Sequence, residues 1–195
     1  MKKMNNKMKI IFLDNDGVIC LSNNWGGRSK KWSKYRSENP ESSGELKDAP
    51  VTVRFDDFDK KAVSTLNEVL QETGAEIVVS SDWKLHADLE GLGEYYESQG
   101  IIKKPIATTP DLYDFDPDSA GLYSWRGWKE KARILEIQKY LELHPEITHW
   151  VAIDDLNMSP EYNQGHGLKN FVLTPRSNEG IKQCGIKDKL SEYLK

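Results

Sequence analysis

The sequence predicts an α/β protein in three layers, a central parallel sheet with helices on both faces. Two observations predict it. Short apolar runs alternate along the chain with segments of helical spacing, the pattern of strands joined by crossover helices. Three of those runs also end in acidic or hydroxyl residues, at the strand ends where open α/β sheets place their ligands. A length of 195 residues fits one domain with a proper core and room for a small inserted lobe.

The elements follow in order. Met8–Asp14 is the first strand, apolar from Ile10 to Leu13. Residues 21–57 are polar and punctuated by Gly26-Gly27, Pro40, Ser42-Ser43-Gly44 and Pro50, which reads as loop with a little local structure. Asp59–Thr73 places Ala62, Leu66, Val69 and Leu70 at helical spacing and stops at Gly74. Ala75–Ser80 is a second buried strand, and His86–Gln99 a helix closed by Gly100. Ile101–Thr108 reads as a strand entering a Thr-Pro loop, followed by an irregular stretch at 110–128. Glu130–Leu143 carries Ile134, Ile137 and Leu141 on one helical stripe. His149–Asp154 and Asn170–Leu173 are strands, and Lys187–Leu194 is a closing helix. Internal repeats and low-complexity tracts are absent from the sequence.

Bulk properties remove several classes. Charged residues make up 30% and the net charge is −4, so any nucleic-acid contact must come from a local basic patch. Cys20 and Cys184 lie far apart, which argues against a disulfide framework or a zinc knuckle. The basic start precedes an apolar run of only Ile10 to Leu13, too short for an export signal, and no stretch reaches membrane-spanning length. A soluble cytoplasmic protein, with no membrane contact and no obligate protein partner, is the expectation.

Chemistry gathers at the strand ends. Asp14 and Asp16, two residues apart after a buried strand, project to the same side, and Gly17 permits a sharp turn behind them. Two acids this close repel unless a cation or shared proton lies between them. That pattern suits a metal, an acid/base pair, or a nucleophile beside a proton donor. A calcium loop fits poorly, because Val18, Ile19 and Cys20 follow where further oxygen ligands would stand. The second strand ends in Ser80-Ser81-Asp82 and the third in Asp154-Asp155, and a helix rich in Lys and Arg precedes the last pair. Asp82 reads as a helix cap, Trp83 as a packing residue, and the four histidines as structural.

In this order, the residues resemble the haloacid dehalogenase (HAD) superfamily of phosphohydrolases, over Met8 to about Leu173. Val-Val-Ser-Ser-Asp-Trp-Lys at 78–84, Thr-Thr-Pro at 108–110 and the run from His144 to Asp155 resemble the HAD domains of Swiss army knife RNA repair-like proteins. Lys84 departs from that branch, which usually carries Arg there, and a lysine gives no bidentate phosphate contact. The resemblance implies a Rossmann-like HAD fold forming a single domain over 1–195, with residues 21–57 as a lid or cap insertion. It implies Asp14 as the nucleophile that forms an aspartyl-phosphate, and Asp16 as the acid that protonates the leaving oxygen and then activates water. Ser80 would donate to a phosphate oxygen, with Ser81, Lys84 and Lys129 also contacting substrate. A cation of the helix before the last acid pair would balance the transferred charge: Arg133 is favoured by its distance from Asp154-Asp155, with Lys129 and Lys131 as the alternatives, since the family more often carries lysine there. Mg²⁺ would be held by Asp14, Asp16 through its carbonyl, and Asp154 or Asp155.

Two segments mix cations with aromatics, Trp25–Arg36 and Tyr123–Arg133. Such loops suit a nucleotide or a nucleic-acid terminal phosphate, since cations track phosphates and aromatic faces stack on bases. A sugar phosphatase, a phosphotransferase with the same covalent intermediate, and a non-catalytic phosphate- or nucleic-acid-binding module are the alternatives. The four acids argue against the last, because an anion binder gains nothing from them without a metal.

Overall fold

The computed structural model describes residues 8–41, 44–111 and 128–195. Five strands, β1 (Met8–Leu13), β2 (Glu76–Val79), β3 (Ala107–Thr108), β4 (Ile147–Asp154) and β5 (Phe171–Leu173), form one sheet in the order β3-β2-β1-β4-β5. Every pairing is parallel. The order runs outward from β1 in one direction and then returns to its other side with β4. This places a topological switch point between β1 and β4.

Alternation along β1 divides the core. Ile11 and Leu13 point into one apolar layer with Ile77, Val79, Leu66, Tyr95 and Leu190. Ile10 and Phe12 point into the other, with Val78, Ala152, Ile134 and Ile137. Four consecutive fully buried apolar residues in β1 therefore follow from burial on both faces. Helices α3 (Lys60–Thr73), α4 (Leu89–Ser98) and α6 (Ile186–Tyr193) cover the first face, and α5 (Trp128–Leu143) covers the second. The α/β sheet with helices on both faces is thus as expected.

Local chemistry sets the helix ends. Asp59 accepts from the Lys61 and Ala62 amides to cap α3, which stops at Gly74 with φ +71°. Asp88 accepts from the Gly91 amide and delays α4 to Leu89, after a 3₁₀ turn at Asp82–Leu85.

Two expectations are corrected. Residues 21–57 are not mainly loop: they hold α1 (Gly27–Glu38) and the short α2 (Val51–Arg54). Helix α1 buries none of its residues, so it carries no apolar stripe to read. Its first amides are also satisfied from far away, with Asp56 accepting from Gly26 N at 3.1 Å and Arg28 N at 2.6 Å. The strand expected at Ile101–Thr108 shrinks to β3, because only Ala107 and Thr108 pair with β2. Most of the irregular stretch expected at 110–128, and the Tyr123 end of the second cation-aromatic segment, lie outside the described residues. Among the described residues no helix is long and apolar enough to cross a membrane.

Candidate active site

Strand register builds the site. Leu13 pairs with Val79 on one side and Ile153 on the other. The residues that follow, Ser80, Asp14 and Asp154, therefore leave three adjacent strands in a single row. Two backbone bonds continue the ladder past the strand ends, Ser80 N to Leu13 O at 2.8 Å and Asp14 N to Ile153 O at 3.1 Å. The row lies at the carboxyl edge beside the switch point, where the sheet diverges and leaves a crevice.

Arg133 reaches this row from α5. Its Nη1 donates to Asp14 Oδ1 at 2.9 Å, to Asp154 Oδ2 at 3.0 Å and to the Ser80 carbonyl, while Nη2 donates to Asp82 Oδ1 at 2.9 Å. Asp14, Asp154 and Arg133 are all buried. Burial pushes the Asp14 carboxyl up to about 6, against the pull of Arg133. Burial, and then the charge of Asp14, raise Asp154 well above the usual carboxylate range. Burial works against the Arg133 charge, yet Asp14, Asp154 and Asp82 hold the guanidinium above its ordinary value. One cation thus serves two buried acids that would otherwise repel. On this helix Arg133 touches both acids. Lys129 is exposed, with Nζ 5.7 Å from the Trp128 ring centre.

Asp16 occupies a separate environment. Trp83 donates its indole N–H to Asp16 Oδ2 at 2.8 Å. Trp83 is itself stacked on Phe55 at 4.3 Å and lies against Phe58 and Tyr95. Burial raises Asp16 and the Trp83 hydrogen bond lowers it, with burial dominant. A carboxyl raised in this way keeps its proton more readily than a free aspartate does. The sequence reading of Trp83 as a packing residue is correct for its ring but misses its N–H.

Asp14, Asp154 and Asp155 each offer a carboxylate oxygen, and these atoms lie within 4.8 Å of one another. Hard, mutually repelling oxygen donors are what a small divalent cation requires, so the three can hold one. The Asp16 carboxylate is not in this group, which leaves its backbone carbonyl as the atom expected to contribute. Gly17 makes room for the third acid: with φ +71°, a Cβ there would stand 2.3 Å from Asp155 Oδ2. Beside the acids, the hydroxyls of Ser80 and Ser81 are buried and have no hydrogen-bond partner among the described residues. Each of these hydroxyls has a hydrogen that it can donate to an oxygen atom placed beside the acids.

Lys84 points elsewhere. Its ammonium donates to Thr109 Oγ1 at 3.1 Å, the Pro110 carbonyl at 3.1 Å and Glu136 Oε2 at 2.6 Å. Three hydrogens meet three protein acceptors, which leaves none for substrate in this arrangement. The buried pair ties the β2 loop to α5 one turn beyond Arg133. Sequence reasoning missed Glu136, although its spacing from Arg133 puts both on one helix face. It also missed Asp82 as an Arg133 partner and Asp56 as the anchor of α1.

A family model described as "HAD domain in Swiss Army Knife RNA repair proteins" matches residues 10–184. The chain belongs to this HAD family. The matched span includes Asp14, Ser80, Arg133, Asp154 and Asp155, so the residues that converge are those inside the family region. Searches of curated proteins and of solved structures returned no match. Membership in a HAD family agrees with the parallel sheet and with the acids at its carboxyl edge.

Proposed function

We propose that this protein is a Mg²⁺-dependent phosphohydrolase that works through an aspartyl-phosphate on Asp14. The observation that carries the reading is Asp14 itself: buried, aligned with Asp154, held by Arg133 and flanked by the unpartnered Ser80 hydroxyl. An Asp14 carboxylate oxygen attacks phosphorus, the bond to the leaving oxygen breaks, and Asp16 gives that oxygen its proton. Asp16 then takes a proton from water, whose oxygen attacks the same phosphorus and releases Asp14 with inorganic phosphate. Arg133 and the Ser80 hydroxyl face the charge that develops on the phosphate oxygens. Asp14, Asp154, Asp155 and the Asp16 carbonyl would hold Mg²⁺, which when bound neutralises phosphate charge. Lys129 and Ser81 are proposed as further substrate contacts, and residues 21–57 as the lid over the site.

The substrate proposed is a nucleotide or a nucleic-acid terminal phosphate. A cavity of about 420 Å³ adjoins Asp16 and is lined by Trp25, Arg28, Ser29, Asp56 and Trp83. Aromatic faces and a guanidinium on the leaving-group side suit a nucleoside, and the family description names RNA repair. The test is hydrolysis of an aryl phosphate with and without Mg²⁺, then of 3′- and 5′-phosphorylated oligonucleotides against sugar phosphates. Asp14→Asn is expected to abolish turnover in a folded protein. Full activity in that variant would exclude covalent catalysis at this position, and a preference for sugar phosphates would exclude the nucleic-acid substrate.

A further inference from the structure

We infer that one side of α1 forms a binding groove for single-stranded nucleic acid, leading from the solvent to Asp16. The identity of the processed end rests on the phosphohydrolase reading above, whereas the groove is argued from α1 alone. The cavity beside Asp16 is lined by Arg28 and Ser29 of this helix. A second cavity of about 520 Å³ is lined by Trp32, Ser33, Arg36 and Ser37. These pairs recur every four residues, so they lie along one side of α1. The two cavities therefore follow one another along this side of the helix, the one at its start adjoining the proposed proton donor and the other closed beyond the helix by Asn39, Pro40 and Gly44.

The chemistry along this side matches a strand. The Arg36 guanidinium lies 5.8 Å from the Trp32 ring centre, and Trp32 is stacked on Tyr35 at 5.9 Å with 17° between the rings. A guanidinium over an indole offers a phosphate contact and a stacking face together. Helix α1 carries Arg28, Lys30, Lys31, Lys34 and Arg36 against Glu38, inside a chain of net charge −4. Lys31 is paired with Asp57 and Lys34 with Glu38, while Arg28 and Arg36 face the cavities. The helix buries no residue; Lys31 lies over the core ring of Tyr95, whereas Trp32 and Arg36 line the cavity. Asp56 holds its first turn against the body and fixes where the groove begins.

The test uses the full chain and an unphosphorylated single-stranded RNA of about ten nucleotides, followed by fluorescence anisotropy. Trp32→Ala is expected to weaken binding about tenfold, through loss of a stacking face. Arg36→Gln is expected to reduce the slope of log affinity against log salt by about 0.7, the share of one phosphate contact. Lys34→Gln, on the other side of α1, should change neither. Arg36 is exposed, so its variant tests the groove even where Trp32→Ala perturbs the helix. Lys34→Gln acting as strongly as Arg36→Gln, no effect of Arg36→Gln on the slope, or equal competition by a polyglutamate peptide would each overturn the groove. Aryl phosphate turnover by the unaltered protein reports on the phosphatase separately: its loss leaves the binding result standing, and its presence without strand binding dismisses the groove alone.

Discussion

Arg133 stands 2.9 Å from Asp14, joining residues 119 positions apart. Because the same guanidinium also holds Asp154, its removal strands two buried carboxylates. Arg133→Ala is expected to lose about 3–5 kcal/mol in a denaturation experiment, the cost of uncompensated buried charge. Arg133→Lys keeps the charge but cannot spread over four acceptors. It should retain most of the stability and lose about ten- to a hundredfold in kcat on an aryl phosphate. An alanine variant as stable as the parent would show that the acids do not depend on this cation.

The Asp14 carboxyl, raised to about 6 from 3.8, makes stability without metal depend on pH. The folded form binds this proton more tightly than the unfolded chain does. Its contribution is therefore fully present below pH 3.8 and is lost as pH rises through about 6. With a chelator present, Asp14→Asn should reduce the rise in Tm that the parent shows as pH falls from about 7.5 to about 5, the remainder coming from Asp154 and the other raised carboxyls. Mg²⁺ should raise the parent's Tm at pH 7.5, since it binds the ionised acids. Identical Tm profiles for parent and Asp14→Asn would refute this account.

Trp83 acts on Asp16 through one N–H. Trp83→Phe keeps a ring against Phe55 and Phe58 but removes the bond that lowers the Asp16 pKa. The Asp16 limb of the pH–rate profile should move to higher pH, with far-UV circular dichroism unchanged. A lower kcat with an unmoved profile would assign Trp83 to packing alone.

Gly17→Ala would drive a methyl group into Asp155 and force alanine to adopt φ +71°. The backbone penalty is about 1–2 kcal/mol. Displacing the third carboxylate should weaken Mg²⁺ about tenfold or more by calorimetric titration. Unchanged metal affinity would remove Asp155 from the ligand set.

Strands β1, β2 and β4 were legible because each is a short buried apolar run that ends in acids or hydroxyls. Arg133 could be chosen by its place before the Asp154-Asp155 pair. Helix α1 was not legible, because its amides are satisfied by Asp56 across 28 and 30 residues and it buries nothing. The Trp83 bond to Asp16 spans 67 residues, so no local pattern announces it. Lys84 misled for a related reason. Its sequence neighbours suggested a phosphate contact, whereas its acceptors come from the segment just after β3 and from α5, which only the fold brings near.

Since Ser80, Asp14 and Asp154 are aligned by ladder pairing rather than by their connecting segments, the spacing among them is insulated from whatever is spliced between the strands. The exposed helix α1 within the stretch from 21 to 57 can be recoloured in charge while the reactive row keeps its dimensions, provided that the buried Phe55 and the anchoring Asp56 are retained. A shift of one position in β4 against β1 would have the opposite effect, turning Asp154 to the other side of the sheet and disarming the protein without disturbing its surface.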